Sequence, residues 1–214
     1  MKIVIQLVLW VVIGFLGYMV YESIMGPVRF NKVRDARYKE VIKGLNDIRS
    51  AQLAHKTVTG TYAKNFDGLA QFIDTAQFTI TQRRDSSFVR FNKILNIDEP
   101  KDTIVIDTLG FKPVKDSLFG TSTRYKNLKS VTADNINAEY QMDAGHILKN
   151  DIRVPVFEAK IAKDKVLEGM NKDMISMEKQ VVSVDGVNGE YISVGSMTDV
   201  KTAGNWPKTY GANE

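Results

Sequence analysis

The chain has 214 residues, a net charge of +4 and a sequence pI of about 9.1, with 43% hydrophobic and 25% charged residues. That balance suits a folded domain and is too weakly basic to indicate a nucleic-acid partner. Cysteine is absent, which excludes disulfides, thiolate nucleophiles and cysteine metal sites.

The first element is an apolar run from Ile3 to Ile24, with no charge before Glu22 and Gln6 as its one strongly polar residue. As a helix it covers roughly 28 Å, close to the bilayer hydrocarbon core of about 30 Å. Trp10 lies inside the run, and Tyr18 and Tyr21 lie near its end, where amphipathic rings favour the headgroup layer. The run reads as one transmembrane helix, residues 1–28 forming the anchor. A buried core helix would carry a polar stripe or be shorter. A cleaved signal would be followed by a small-x-small site, and Tyr21 to Gly26 offers none. Gly14 and Gly17 form a small patch for close helix approach.

Gly26-Pro27 reads as a breaker, where the chain kinks or a new helix starts. Beyond it Arg29, Lys32, Arg34 and Arg37 form a basic flank suited to anionic lipid headgroups. By the positive-inside rule this flank, and the domain after it, would lie in the cytoplasm. From residue 29 to 58 the pattern is that of an amphipathic stalk helix. Phe30, Val33, Val41, Leu45, Ile48 and then Ala51 or Gln52 recur at helical spacing, interrupted at Arg37. The stripe is expected to pack on the chain's own domain rather than on another copy. Gly60 suits a left-handed helix end. Asn65 or Asp67 caps a short helix whose buried side is Phe66, Leu69, Phe72 and Ile73.

Residues 59–200 read as a β-rich head. Strands are expected at Phe78–Arg83, Thr103–Asp107, Leu128–Val131, Ala138–Leu148 and Arg153–Ile161, while 88–95 is ambiguous between strand and helix. Asp98–Asp102 reads as a polar loop, and Leu109–Gly120 as turns around short elements. Asp164 to Lys179 predicts one or two short helices broken near Gly169, with Met170, Met174 and Met177 as core filler. Val181–Val194 predicts a hairpin around Asp185-Gly186 and Asn188-Gly189. The tail, 201–214, is expected to be loosely held, with Trp206 docking it. The fold class is therefore α+β: a transmembrane helix continuing into an amphipathic helix packed on a mainly antiparallel head.

No catalytic constellation emerges. His55 and His146 are the two histidines, and neither has a partner at metal spacing. Nucleophile-elbow, phosphate-loop and dinucleotide motifs are absent. Asp185, Asn188 and Glu190 make an oxygen-rich cluster that a tight turn explains better than calcium does. No cofactor and no nucleic-acid partner is expected.

Ile48 to Tyr62 ends a helix in a Gly-x-Tyr turn, followed by Leu69, and Val11 to Leu16 forms part of a membrane half. This layout resembles the type IV pilins and the pseudopilins of type II secretion. Met1-Lys2 stands where the family has a processed leader, and the run has no acid before Glu22. Only the architecture of the first third carries over. The resemblance implies a non-enzymatic, single-pass assembly component of the bacterial inner membrane, with an extracytoplasmic head, self-association and other envelope proteins as partners. The other reading is a monomeric anchored sensor or ligand-binding module, which would need a concave apolar pocket in the head. An anchored enzyme is the third.

Overall fold

A computed structural model describes residues 2–92, 97–131, 133 and 136–211. One α-helix, α1, runs from Lys2 to Thr59 without interruption. Pro27 does not break it. Proline removes one intrahelical hydrogen bond, the one to the Ser23 carbonyl, but long helical segments on both sides keep the register. α1 ends as its sequence predicts: Gly60 takes φ +81° and donates its N–H to the Lys56 carbonyl at 2.8 Å.

The two halves of α1 meet different surroundings. Residues 3–24 are exposed throughout, and none of them is buried against the head. From Phe30 on, one face is the spine of the head's core: Tyr38, Val41, Ile42, Leu45, Ile48, Ala51 and Ala54 are buried. The predicted stripe holds at Phe30, Val41, Leu45 and Ile48 and fails at one position. Val33 is exposed, whereas Tyr38 and Ile42 are buried and fill the gap at Arg37. Packing on the chain's own domain is observed.

Buried Gln52 on this face binds the chain that leaves the helix. Its side-chain amide donates to the Ala63 carbonyl at 2.8 Å, and its oxygen accepts from the Ala63 N–H at 2.9 Å. Helix α2, Phe66–Thr75, follows, with Asn65 accepting from the Gly68 N–H as its cap and Leu69, Phe72 and Ile73 buried. The pattern predicts this buried side and leaves the cap between Asn65 and Asp67; Phe66, also expected on that side, is only half-buried.

Two antiparallel strands, β1 (Gln77–Asn92) and β2 (Ile97–Pro113), then form a two-stranded ribbon. At about 3.3 Å per residue it extends roughly 50 Å. The head grips only its base, where Phe78 packs on the core and the Val114 N–H donates to the Ala76 carbonyl at 3.0 Å. Asp98–Asp102 is not a loop. It is paired strand, opposite Phe91 to Ser87. Continuous pairing overrides its loop-like composition. The ambiguous segment is strand through Asn92, and 93–95 fall outside the described residues. Leu109 is the extra residue of a bulge between Ile80 and Thr81. The turns expected over 109–120 are strand to Pro113, then helix α3 (Val114–Leu118) and a turn.

A three-stranded antiparallel sheet closes the core, in the order β3 (Gln141–Lys149), β4 (Ile152–Ala162), β5 (Tyr191–Gly195). Asn150 and Asp151, both at positive φ, make the two-residue turn between β3 and β4. Central β4 turns Phe157, Ala159 and Ile161 towards α1. Leu128–Val131 forms no strand, only a single bridge from Ser130 to Glu139. Helices α4 (Lys163–Val166) and α5 (Lys172–Lys179) flank Gly169 at φ +84°, as the sequence predicts. Met170 and Met174 pack on the core, but Met177 is exposed.

The predicted 181–194 hairpin is not formed. Val182 and Val184 stand almost wholly in solvent, and β5 pairs with β4 instead. β5 can bury Ile192 and Val194 only against β4, and that outweighs a local turn. The tail is held through Tyr210. Gly204 bridges to Val194, Trp206 is buried, and the Tyr210 hydroxyl donates to Asp35 at 2.6 Å. Burial of Trp206 supplies apolar area that a glycine-rich segment lacks.

Replacing Gln52 with alanine strands the Ala63 N–H and carbonyl inside the core. Loss of about 2 kcal/mol or more is expected in denaturant unfolding, at unchanged m-value.

Candidate functional site: the free apolar helix and its polar clamp

Two adjoining features of α1 stand out. The first is its free half. An 18-residue window reaches a mean hydropathy of 2.5 with none of it buried in the protein, and by length and composition it can cross a membrane. Trp10, Gly14, Gly17 and Tyr21 share one face, at steps of four, three and four residues, and Tyr18 lies beside them. Side chains added at Gly14 or Gly17 would meet nothing within 4 Å, so this face is open to a neighbouring helix.

The second feature is a charged cluster where α1 enters the head. Lys163, at the start of α4, is fully buried. Its ammonium donates to the carbonyls of Glu178 and Val187, each at 2.7 Å, and lies 3.4 Å from the Glu178 carboxylate. That carboxylate, itself buried, also receives Arg34 at 2.9 Å and the Tyr38 hydroxyl at 3.2 Å. Arg34 bonds Asp35 as well, and Asp35 accepts from Tyr210. Arg37 donates to the carbonyls of Val166 and Glu168 at 2.9 and 3.0 Å, which lie at the C-terminal end of α4. Four segments distant in sequence are thus tied to one turn of α1.

The electrostatics follow from burial. It pushes the Lys163 ammonium below the ordinary lysine value, with Glu178 opposing. It pushes the Tyr38 phenol up, and the Glu178 charge adds to this. Burial and the bond to Asp35 push Tyr210 up to about 12. The cluster keeps its phenols protonated and its ions paired, which suits a structural clamp.

The four basic residues assigned to headgroups divide into two pairs. Arg29 faces solvent, paired with Glu22 at 2.5 Å, and Lys32 is exposed. Arg34 and Arg37 belong instead to the head. The reason is distance and competition. Arg34 stands thirteen residues, roughly 20 Å, beyond Tyr21, whereas a headgroup layer is only about 5–8 Å deep. A buried carboxylate and free carbonyls also bind guanidinium more strongly than hydrated phosphates do. Nothing in the local sequence singled out Lys163 or Glu178.

The remaining candidates are structural. The His55 ring bonds the Thr61 carbonyl at 2.6 Å and packs at a tilt against Phe72, and His146 is exposed on β3. Asn188 accepts from the Ser183 N–H at 2.8 Å, closing a turn. Among the described residues no three His, Asp or Glu side chains are placed to hold a metal.

Glu178→Ala leaves Lys163 buried without its carboxylate, and is expected to cost about 3–5 kcal/mol in unfolding, whereas Lys163→Met is expected to cost less because it removes the charge itself. For Tyr210, a folded-state value above the ordinary 10.0 means stability that is complete below pH 10 and lost as pH rises towards about 12. The thermal midpoint of detergent-solubilised chain should fall across that window, and Tyr210→Phe should reduce the fall. Lys163 acts in the opposite sense, but only up to its unfolded value of 10.5. No known protein family, curated protein or solved structure matches the chain.

Proposed function

We propose that the protein is a non-enzymatic, single-pass membrane component of a bacterial envelope assembly, with a pilin-like layout. One observation carries this reading. The same unbroken helix is wholly exposed and apolar over residues 3–21, and is the buried spine of a folded head from Phe30 on. An apolar helical surface of this extent has no stable place in water. A bilayer supplies the missing partner, and Tyr18 and Tyr21 then lie at its interface. Because the helix is shared, the head is coupled to the anchor without a flexible linker. A rigid mount of this kind suits a part that must be held at a fixed height and orientation beside its neighbours.

The sensor reading has less support. The recess beside Gly44 holds only about 150 Å³, below the roughly 300–1,000 Å³ usual for ligands, and the wider one beside Trp206, about 540 Å³, is a groove open to solvent rather than an enclosed pocket. As an assembly component of the inner membrane, the protein would carry its head on the extracytoplasmic side, in keeping with the pilin-like layout. The basic flank favours the opposite side by charge alone.

Three measurements test this. The full chain should resist extraction from membranes by alkaline carbonate; release into the supernatant would remove the anchor. A reporter fused after Glu214 should be active outside the cytoplasm; cytoplasmic activity would reverse the head's side. The detergent-solubilised chain should exceed monomer mass, and a variant lacking residues 1–28 should associate less. A monomer in both cases would end the assembly reading.

A further inference from the structure

The ribbon formed by β1 and β2 meets the head only at its base. It leaves the core after Phe78 and carries exposed apolar side chains far from it: Ile104, Ile106, Val89 and Phe91 share one face. A two-stranded ribbon alone in water is marginally stable at best. Among the described residues, neither of its outer edges pairs with another strand. Such edges invite a further strand unless they are short, covered or blocked. These are long, and of the two prolines within the paired span Pro113 lies at the base and Pro100 towards the far end.

The edges differ in sign. β1 carries Arg83, Arg84 and Arg90 against one acid, Asp85. β2 carries Asp98, Glu99, Asp102 and Asp107 against Lys101 and Lys112. Thus β1 is net basic and β2 net acidic. Part of this charge is matched inside the ribbon, where Arg84 lies 3.1 Å from Asp107 and Arg90 is opposite Glu99. The rest is not: Arg83 faces Ile106, Asp102 faces Ser87 and Asp98 faces Phe91.

We propose that the ribbon is a self-assembly edge, in which β2 of one copy pairs with β1 of a second copy of this chain. The choice of edges rests on charge and on the membrane reading above. Copies rooted in one bilayer by the same rigid helix hold their ribbons in the same direction. A neighbour displaced sideways at equal height then offers β1 to β2, running antiparallel, which is the pairing already present within each ribbon. The net acidic β2 of each copy would then run along the net basic β1 of its neighbour. Opposite charges across neighbouring strands favour such a pairing. A two-fold pairing is disfavoured by charge: it would set β1 on β1, basic on basic, or β2 on β2, acidic on acidic. The preferred contact is head-to-tail and leaves both outer edges free, so it propagates from copy to copy.

The absence of cysteine makes the test direct, since any introduced thiol is the sole one in its chain. Ser86 and Thr103 face each other across the ribbon, so they also mark equal heights on its two edges. Full-length Ser86→Cys and Thr103→Cys chains are co-expressed, and their membranes are oxidised. The expected result is a mixed disulfide dimer, with neither variant dimerising when expressed alone. Dimers formed by either variant alone would indicate the two-fold pairing and overturn the proposal. Absence of any cross-link would overturn it as well. The mass of the full chain in detergent then separates the two readings: an oligomer leaves assembly standing without the ribbon edge, and a monomer removes both. A third variant, Ser176→Cys on exposed α5, controls for random collision; a dimer with Thr103→Cys as abundant as the Ser86→Cys pair would also overturn the proposal.

Discussion

Continuity of α1 is the constraint on which the rest depends. A helix of 58 residues satisfies its backbone hydrogen bonds internally, save at its ends and at the Ser23 carbonyl opposite Pro27, so it can pass from one surrounding to another. The first half is apolar on every face. The second is apolar on one face only, and this difference decides what each half can contact. The head forms around the amphipathic half because only there does a side-chain stripe reach across to β4 and β5. A rigid rod shared between the free apolar half and the core transmits orientation from one to the other.

The charged cluster around Glu178 stands where the helix enters the head. Burying Lys163 and Glu178 is costly, and their mutual attraction offsets that cost only because every nearby donor and acceptor is engaged. An apolar contact there would hold the helix equally well but would allow it to slide or rotate. Arg34, Tyr38 and Arg37 each bind at one position and one angle, so the cluster selects one register of head on helix. Tyr210 extends the same clamp to the end of the chain. Gln52 performs a similar task one level up, fixing the exit at Ala63.

The ribbon is the opposite case. It contributes little to the core and is joined to it mainly at its base. Its long unpaired edges are the kind of structure that soluble monomers block. Its two strands differ in charge, and the helix that carries it is apolar where it leaves the head. Both features fit a molecule whose stable form includes neighbours.

The sequence by itself determined what depends on local pattern. The long apolar run, the glycine end of α1, the Asn65 cap, the buried side of α2 and the break at Gly169 follow from residues within a turn or two of one another. So does the α+β class. Tertiary structure decided the remainder. Asp98–Asp102 is polar enough for a loop, yet it is strand because β1 lies opposite. Val181–Val184 is β-prone, yet it forms no strand because β4 accepts β5 instead. Arg34 and Arg37 look like a membrane flank, yet Glu178 and the carbonyls at the end of α4 claim them. Each partner in these cases is distant in sequence, up to 144 residues for Arg34 and Glu178. Local propensities amount to tenths of a kcal/mol per residue, about 0 to 0.7 for helix, whereas a buried ion pair or a paired strand weighs several times that. Where the two conflict, the distant partner prevails.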